Sequence, residues 1–145
     1  MSSVDLRPAT LGDADAIARL AGELGYPVDR GEMERRLAIC CASEDDGIFV
    51  ASRDDQVVAW IHIQRRRPLL TNECPVEIVG LVVGSAARRQ GVGRALLQAA
   101  ETWARDRGFR MVRVRANVIR TEAHAFYESA GYRLKKQQKV FEKAL

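Results

Sequence analysis

Apolar positions along this chain switch between a period of two and a period near ~3.6, and the switches mark its elements. Val4 to Ala9 reads as a first strand. Thr10-Leu11-Gly12-Asp13 has a capping-box pattern, so a helix follows, with Leu11, Ile17, Leu20, Ala21 and Leu24 along one face and Gly25 at its end. Tyr26-Pro27-Val28 is a break, and a second helix is expected from Asp29 to Ile39 with Met33 and Leu37 inward. Ile48 to Ser52 and Gln56 to Gln64 read as a hairpin across Arg53-Asp54-Asp55. Val76 to Val83 is an apolar strand, and the helix after it carries Val92, Leu96, Ala99 and Trp103 on one face and stops at Gly108. Met111 to Ala116 predicts a strand, Thr121 to Ala130 a helix closed by Gly131, and Tyr132 to Lys135 and Gln138 to Glu142 the last strands. Helices and strands alternate but include hairpins, so the expected fold is α/β (α+β) with a mixed sheet. No repeat, low-complexity tract or linker interrupts it, and 145 residues predict one domain, 1–145.

Between the strand Val76 to Val83 and the following helix lies Arg88-Arg89-Gln90-Gly91-Val92-Gly93-Arg94. A glycine turn there presents backbone N–H groups at the positive end of a helix dipole. Glycine at 91 and 93 lets an anion approach the backbone closely, so the expected guest is a phosphate or diphosphate. A dinucleotide turn needs a third glycine, but Leu96 stands there, and Arg110 to Arg115 offers no acidic ribose partner. A Walker loop needs Gly-Lys-Ser/Thr, but Gly93 is followed by Arg94-Ala95.

Arg88-x-x-Gly91-x-Gly93 resembles the pyrophosphate loop of the GNAT superfamily, the Gcn5-related N-acetyltransferases. The resemblance extends to Val76 through Val83, to Asn117, to Ala123-His124-Ala125-Phe126-Tyr127-Glu128-Ser129-Ala130-Gly131-Tyr132, and to Leu6-Arg7-Pro8-Ala9-Thr10-x-x-Asp13, nearly the whole chain in the family's order. It implies a GNAT fold: a six- to seven-stranded mixed sheet with about four helices, splayed after the fourth strand. It implies acetyl-CoA as co-substrate, with no metal, and an amine as acceptor. The turn Arg88, Arg89, Gln90, Gly91, Val92, Gly93 and Arg94 would take the pyrophosphate, and the main chain of Leu81, Val82 and Val83 the pantetheine. A main-chain N–H near Leu81 or Val82 would stabilise the oxyanion. Asn117 would contact the pantetheine or cofactor backbone, or else serve as a turn residue; His124 could touch the coenzyme or merely cap packing; and the Tyr127 hydroxyl would protonate the leaving thiolate.

Acetyl transfer also needs a base, because an alkylamine with a pKa near ~10.4 is protonated at neutral pH. Glu77 is the candidate. It stands alone among Val76, Ile78 and Val79, where desolvation raises a carboxyl pKa, and it lies 11 residues before Arg88, an offset some GNAT members use. It would act directly or through a water relay; the other reading is an exposed Glu on a sheet face opening to solvent. His62, on the same strand face as Trp60, could line an acceptor pocket or be structural, and Arg120 could reach the phosphates or be solvated.

Charge sharpens the picture. Residues 1–60 carry 12 acidic and 6 basic groups, and residues 61–145 carry 7 acidic and 17 basic groups. A basic half suits a polyphosphate ligand, and an acidic half a cationic amine or peptide amine. Cys40, Cys41 and Cys74 are an odd count without metal-ligand spacing, which predicts a reducing compartment, the cytoplasm. No apolar run approaches the ~20 residues of a membrane span, and the N-terminus has no signal-peptide pattern. Two other readings stay open: a basic nucleic-acid-binding module built on Arg65-Arg66-Arg67, disfavoured by only 6% aromatic residues, and a GNAT domain that binds acetyl-CoA without catalysis. The acceptor's identity and the oligomeric state, a homodimer included, are left open.

Overall fold

A computed structural model describes residues 3–116 and 118–145. Five strands are present: β1 (Asp5–Pro8), β2 (Asp46–Arg53), β3 (Gln56–Arg65), β4 (Val76–Val83) and β5 (Val112–Val114). Four α-helices accompany them: α1 (Ala14–Glu23), α2 (Arg30–Cys41), α3 (Val92–Asp106) and α4 (Thr121–Ser129). By Cα packing the chain forms two compact units, Met1–Val114 and Arg115–Leu145. Among the described residues no helix is long and apolar enough to cross a membrane.

The first unit is a sheet in the order β1-β2-β3-β4-β5. The first three pairings are antiparallel and the last is parallel. The β2–β3 hairpin turns at Asp54 and Asp55, both at positive φ, the conformation a tight two-residue hairpin demands. α1 and α2 bury Ile17, Leu20, Met33 and Leu37 against Ile48, Val50 and Val82. Because side chains alternate along a strand, Ile61 and Ile63 point the opposite way, where Trp103 of α3 lies over Gly47 and Ile63.

The capping box before α1 is built as the sequence implies: the Thr10 N–H donates to Asp13 Oδ2 at 2.8 Å. Asp13 is buried and also takes two hydrogen bonds from Arg7, at 2.7 and 2.8 Å. Leu11 does not join the core; it is 52% exposed, because residues 11–13 form a 3-10 turn and the buried stripe starts at Ala14. Asp29 caps α2 by accepting from the Glu32 N–H at 2.8 Å, and α2 runs two residues beyond the expected Ile39.

Two expectations about the sheet need correction. Met111 to Ala116 shrinks to Val112–Val114, and among the described residues the sheet has five strands rather than six or seven. Residues 132–145 form no strand, although their pattern alternates. Alternation specifies which face a residue would take, but a strand exists only through a ladder partner. The splay after the fourth strand is present: β5 pairs only with Val76, Glu77 and Ile78, so β4 has no ladder partner on that side from Val79 on, among the described residues.

The second unit holds α4, ended by Gly131 at φ +94°. Phe126, Tyr127 and Tyr132 meet edge to face, with centroids 5.2 and 5.9 Å apart. Arg115 donates to Gln138 Oε1 at 2.7 Å.

Candidate active site

β4 gathers most of the site. Opposite it, His62 faces Gly80 but Ile63 faces Ile78, so Val79 is one residue extra, a β-bulge. A bulge bends its strand, and here it falls where β5 stops pairing. Beyond it the ladder phase can be read. The Gly84 N–H donates to Val58 O at 2.8 Å, which makes that a hydrogen-bonded pair. Antiparallel pairs alternate, so Val82 opposite Trp60 is also hydrogen-bonded, while the main-chain groups of Leu81 and Val83 turn to the open edge. Arg88 Nε donating to Val83 O at 3.2 Å agrees with that phase. Of the three residues expected to hold the pantetheine, two offer free-edge main chain, and that of Val82 faces β3.

The open edge runs into the anion turn. Arg89 has φ +62° and Gly91 φ +80°, and α3 starts at Val92. Alternating handedness of this kind folds successive N–H groups around a concavity. The glycine at 91 answers the backbone conformation rather than room: a Cβ there would meet nothing within 4 Å. Gly93 lies in the first turn of α3. Arg88, Arg89, Gln90 and Arg94 are exposed. Gln90 braces the turn by donating to Ala86 O at 3.2 Å. From below, Glu23 at the end of α1 accepts from the Ser85 N–H and hydroxyl, at 3.3 and 3.0 Å, and these bonds lower its pKa, the backbone one most.

Glu77 is 5% exposed, as a residue of an apolar strand should be, but it is not alone. Arg66 donates to its Oε2 through Nε at 3.2 Å and Nη2 at 2.8 Å. A guanidinium favours the charged carboxylate, opposing the desolvation that the sequence emphasised. Arg66 lies just past β3, inside the arginine run; pairing β3 with β4 in an antiparallel register was the signal that could have found it. The register also sets Gln64 opposite both Glu77 and Asp46, giving a polar row Asp46-Gln64-Glu77 across three strands. Gln64 donates to Asp46 Oδ1 at 3.1 Å, and His62 Nε2 meets the same oxygen at 2.6 Å. Burial pushes the Asp46 carboxyl up, but the hydrogen bonds from His62, Ser43 and Gln64 outweigh it, and the net direction is down. His62 is thus anchored.

The rest of the arginine run is paired too: Arg65 and Arg67 with Asp45, and beyond it Arg113 with Glu73. Tyr127 and His124 lie half-buried on α4, in the second unit, and Arg120 stands at the N-terminal end of that helix without a side-chain capping bond. Burial raises the Tyr127 pKa against the opposing charge of Arg120, so the hydroxyl keeps its proton at neutral pH. Asn117 lies outside the described residues.

The sequence profile of the Acetyltransferase (GNAT) family matches residues 14–132, most of the chain. This chain belongs to the GNAT family. It is an acetyl-CoA-dependent N-acetyltransferase. The acetyltransferase is 31% identical over 135 residues to aminoglycoside N(6')-acetyltransferase type 1 of Stenotrophomonas maltophilia, covering 90% of this chain and 87% of the relative. It is 32% identical over 134 residues to aminoalkylphosphonate N-acetyltransferase of Salmonella typhimurium strain LT2, covering 92% and 87%. Its fold is similar to AAC(6')-Iy in complex with the bisubstrate analogue CoA-S-monomethyl-acetylneamine, with a TM-score of 0.88 at 17% identity, covering 99% of this chain and 100% of the other.

Proposed function

We propose that the acceptor is a small molecule carrying a protonated primary amine, of the aminoglycoside or polyamine kind, and that its amine attacks the thioester directly. One observation carries this reading: a single strand, β4, bears a buried carboxylate, a bulge, an unpaired edge and the anion turn in sequence. In this reading the pyrophosphate lies on Arg88 to Arg94 and the pantetheine pairs with β4 through Leu81 and Val83, with Asn117 and His124 as further coenzyme contacts. Of the two N–H groups the sequence offered, that of Leu81 faces the open edge and donates to the developing oxyanion, since that of Val82 faces β3. Glu77, directly or through water, takes the amine proton, and the amine nitrogen bonds to the carbonyl carbon. The C–S bond breaks, and Tyr127 gives its proton to the leaving sulfur, leaving an amide and free CoA.

The two named relatives act on acceptors of opposite charge character, and the arginines help choose between them. Arg65, Arg66, Arg67 and Arg113 are each paired with a carboxylate. The buried Glu77 carboxylate on the sheet face favours a cation over a phosphonate. The same pairing counts against a nucleic-acid surface. One acetyltransferase domain spans 1–145, a reading supported by a family match that runs through both packing units. Three unpaired cysteines suit the cytoplasm.

A thiol-release assay with acetyl-CoA and a panel of an aminoglycoside, a polyamine, an aminoalkylphosphonate and a peptide N-terminus tests this. We expect the highest kcat/KM with one of the first two. A phosphonate preferred by tenfold or more would overturn the acceptor class while leaving transfer intact. No thiol release with any of these amines, while acetyl-CoA still binds, would support coenzyme binding without catalysis.

A further inference from the structure

Three side chains of different chemistry converge on the sheet face that carries Glu77, towards α2 and away from β4. Cys40 comes from the last turn of α2, Asp46 opens β2, and His62 lies in the middle of β3. One ligand atom from each, Sγ, a carboxylate oxygen and an imidazole nitrogen, lies within 4.8 Å of the others, and all three residues are half-buried. We infer that these residues form a binding site for a borderline transition-metal ion of the zinc class, separate from acyl transfer.

The donor set is thiolate, imidazole and carboxylate, which suits zinc and excludes the all-oxygen preference of magnesium and calcium. Three protein ligands leave the fourth tetrahedral position for water. Ligand atoms about 2.0–2.3 Å from zinc stand roughly 3.3–3.8 Å from each other, so the cluster needs to tighten by about an ångström, within the reach of side-chain rotation. Asp46 is already oriented from outside the cluster by Gln64, the kind of support that metal-bound carboxylates use. His62 Nε2 and Asp46 Oδ1, 2.6 Å apart, face one another and would open around the ion. Binding releases the Cys40 thiol proton to solvent, and the imidazole, which meets Asp46 through Nε2 without the ion, carries its one N–H on Nδ1 once Nε2 meets the metal. The occupied site would tie α2 to the β2–β3 hairpin.

Sequence spacing could not show this, because residues 40, 46 and 62 form no ligand motif; the hairpin register brings them together. The test uses the full chain with Cys41→Ser and Cys74→Ser, so that Cys40 is the only thiol, and zinc alone as probe. Isothermal titration should give one saturable site, a Tm that rises with zinc and not with magnesium, and at least tenfold slower Cys40 alkylation when zinc is present. Cys40→Ser and His62→Gln should each weaken binding at least tenfold. No saturable binding to the folded chain, unaltered Cys40 alkylation with zinc bound, or binding that survives His62→Gln would overturn the site.

Discussion

Replacing Gly91 with Ala tests the anion turn at the position where its backbone is most demanding. Gly91 stands at φ +80° with open space around the missing Cβ, so the substitution introduces conformational cost without a clash. An L-residue in the left-handed region costs about 1–2 kcal/mol. That cost must emerge in one of two measurements. If the turn keeps its shape in the free enzyme, the folded state carries the strain, and Tm falls by roughly 2–8 °C while acetyl-CoA affinity holds. If the turn relaxes, stability holds, and binding must restore the left-handed residue, so Kd rises about 5- to 30-fold. Differential scanning calorimetry and an acetyl-CoA titration on the same preparation measure both. Gly91→Asn is the control, because asparagine tolerates this region better and should recover much of either loss. Unchanged Tm and unchanged Kd in Gly91→Ala would refute the reasoning, as would an asparagine variant as damaged as the alanine one.

Tyr127→Phe removes the proposed acid but keeps the ring that packs between Phe126 and Tyr132, so kcat should fall about 10²-fold or more with acetyl-CoA affinity within threefold; unchanged turnover would remove Tyr127 from the mechanism. Glu77→Gln keeps the shape of a buried side chain but cannot take a proton, so kcat should drop by about 10²-fold and the acidic limb of the pH–rate profile should be lost; retention of that limb would assign the base elsewhere. Asp13 has its pKa lowered chiefly by the Arg7 hydrogen bonds, so its contribution to stability is present above the unfolded carboxyl value and is lost as pH falls through the folded one. Asp13→Asn should therefore cost about 2 kcal/mol at pH 7 and progressively less in acid, and a stability gap constant from pH 7 to pH 3 would contradict this.

What was legible in the sequence depended on how local its cause was. α1, α2 and α3 each announce themselves through a cap or a stop, such as Asp29 and Gly25, and through one apolar stripe. Val76–Val83 was readable to the residue because both faces of that strand are apolar. The failures share a cause. Leu11 has the right period, but it sits in a 3-10 turn, where the side chain does not follow the helix stripe. Residues 138–142 alternate without acquiring a ladder. Glu77 was read as isolated because its partner lies 11 residues upstream, across a loop whose path no local pattern specifies. The bulge at Val79 was invisible for the same reason: it is a property of the β3–β4 register, not of β4.

The same distinction changes what the charge asymmetry means. Counting residues makes the second half strongly basic, yet Arg65, Arg66, Arg67 and Arg113 face Asp45, Glu77 and Glu73. A cation held by a carboxylate attracts a third charge far less than a solvated one. The basic groups that remain exposed at the head of α3, Arg88 and Arg89, border the turn. Around the sheet, the arginines at 65–67 and 113 are thus offset by carboxylates, while Arg88 and Arg89 stand exposed beside the turn. Glu77 gains from this arrangement as well. Arg66 is about half exposed while Glu77 is nearly enclosed, so a cationic amine arriving at the carboxylate could take the place of the guanidinium, which would move into water while Glu77 kept a positive partner. An anionic acceptor would find no such exchange, which is the physical ground for placing the cationic amines first.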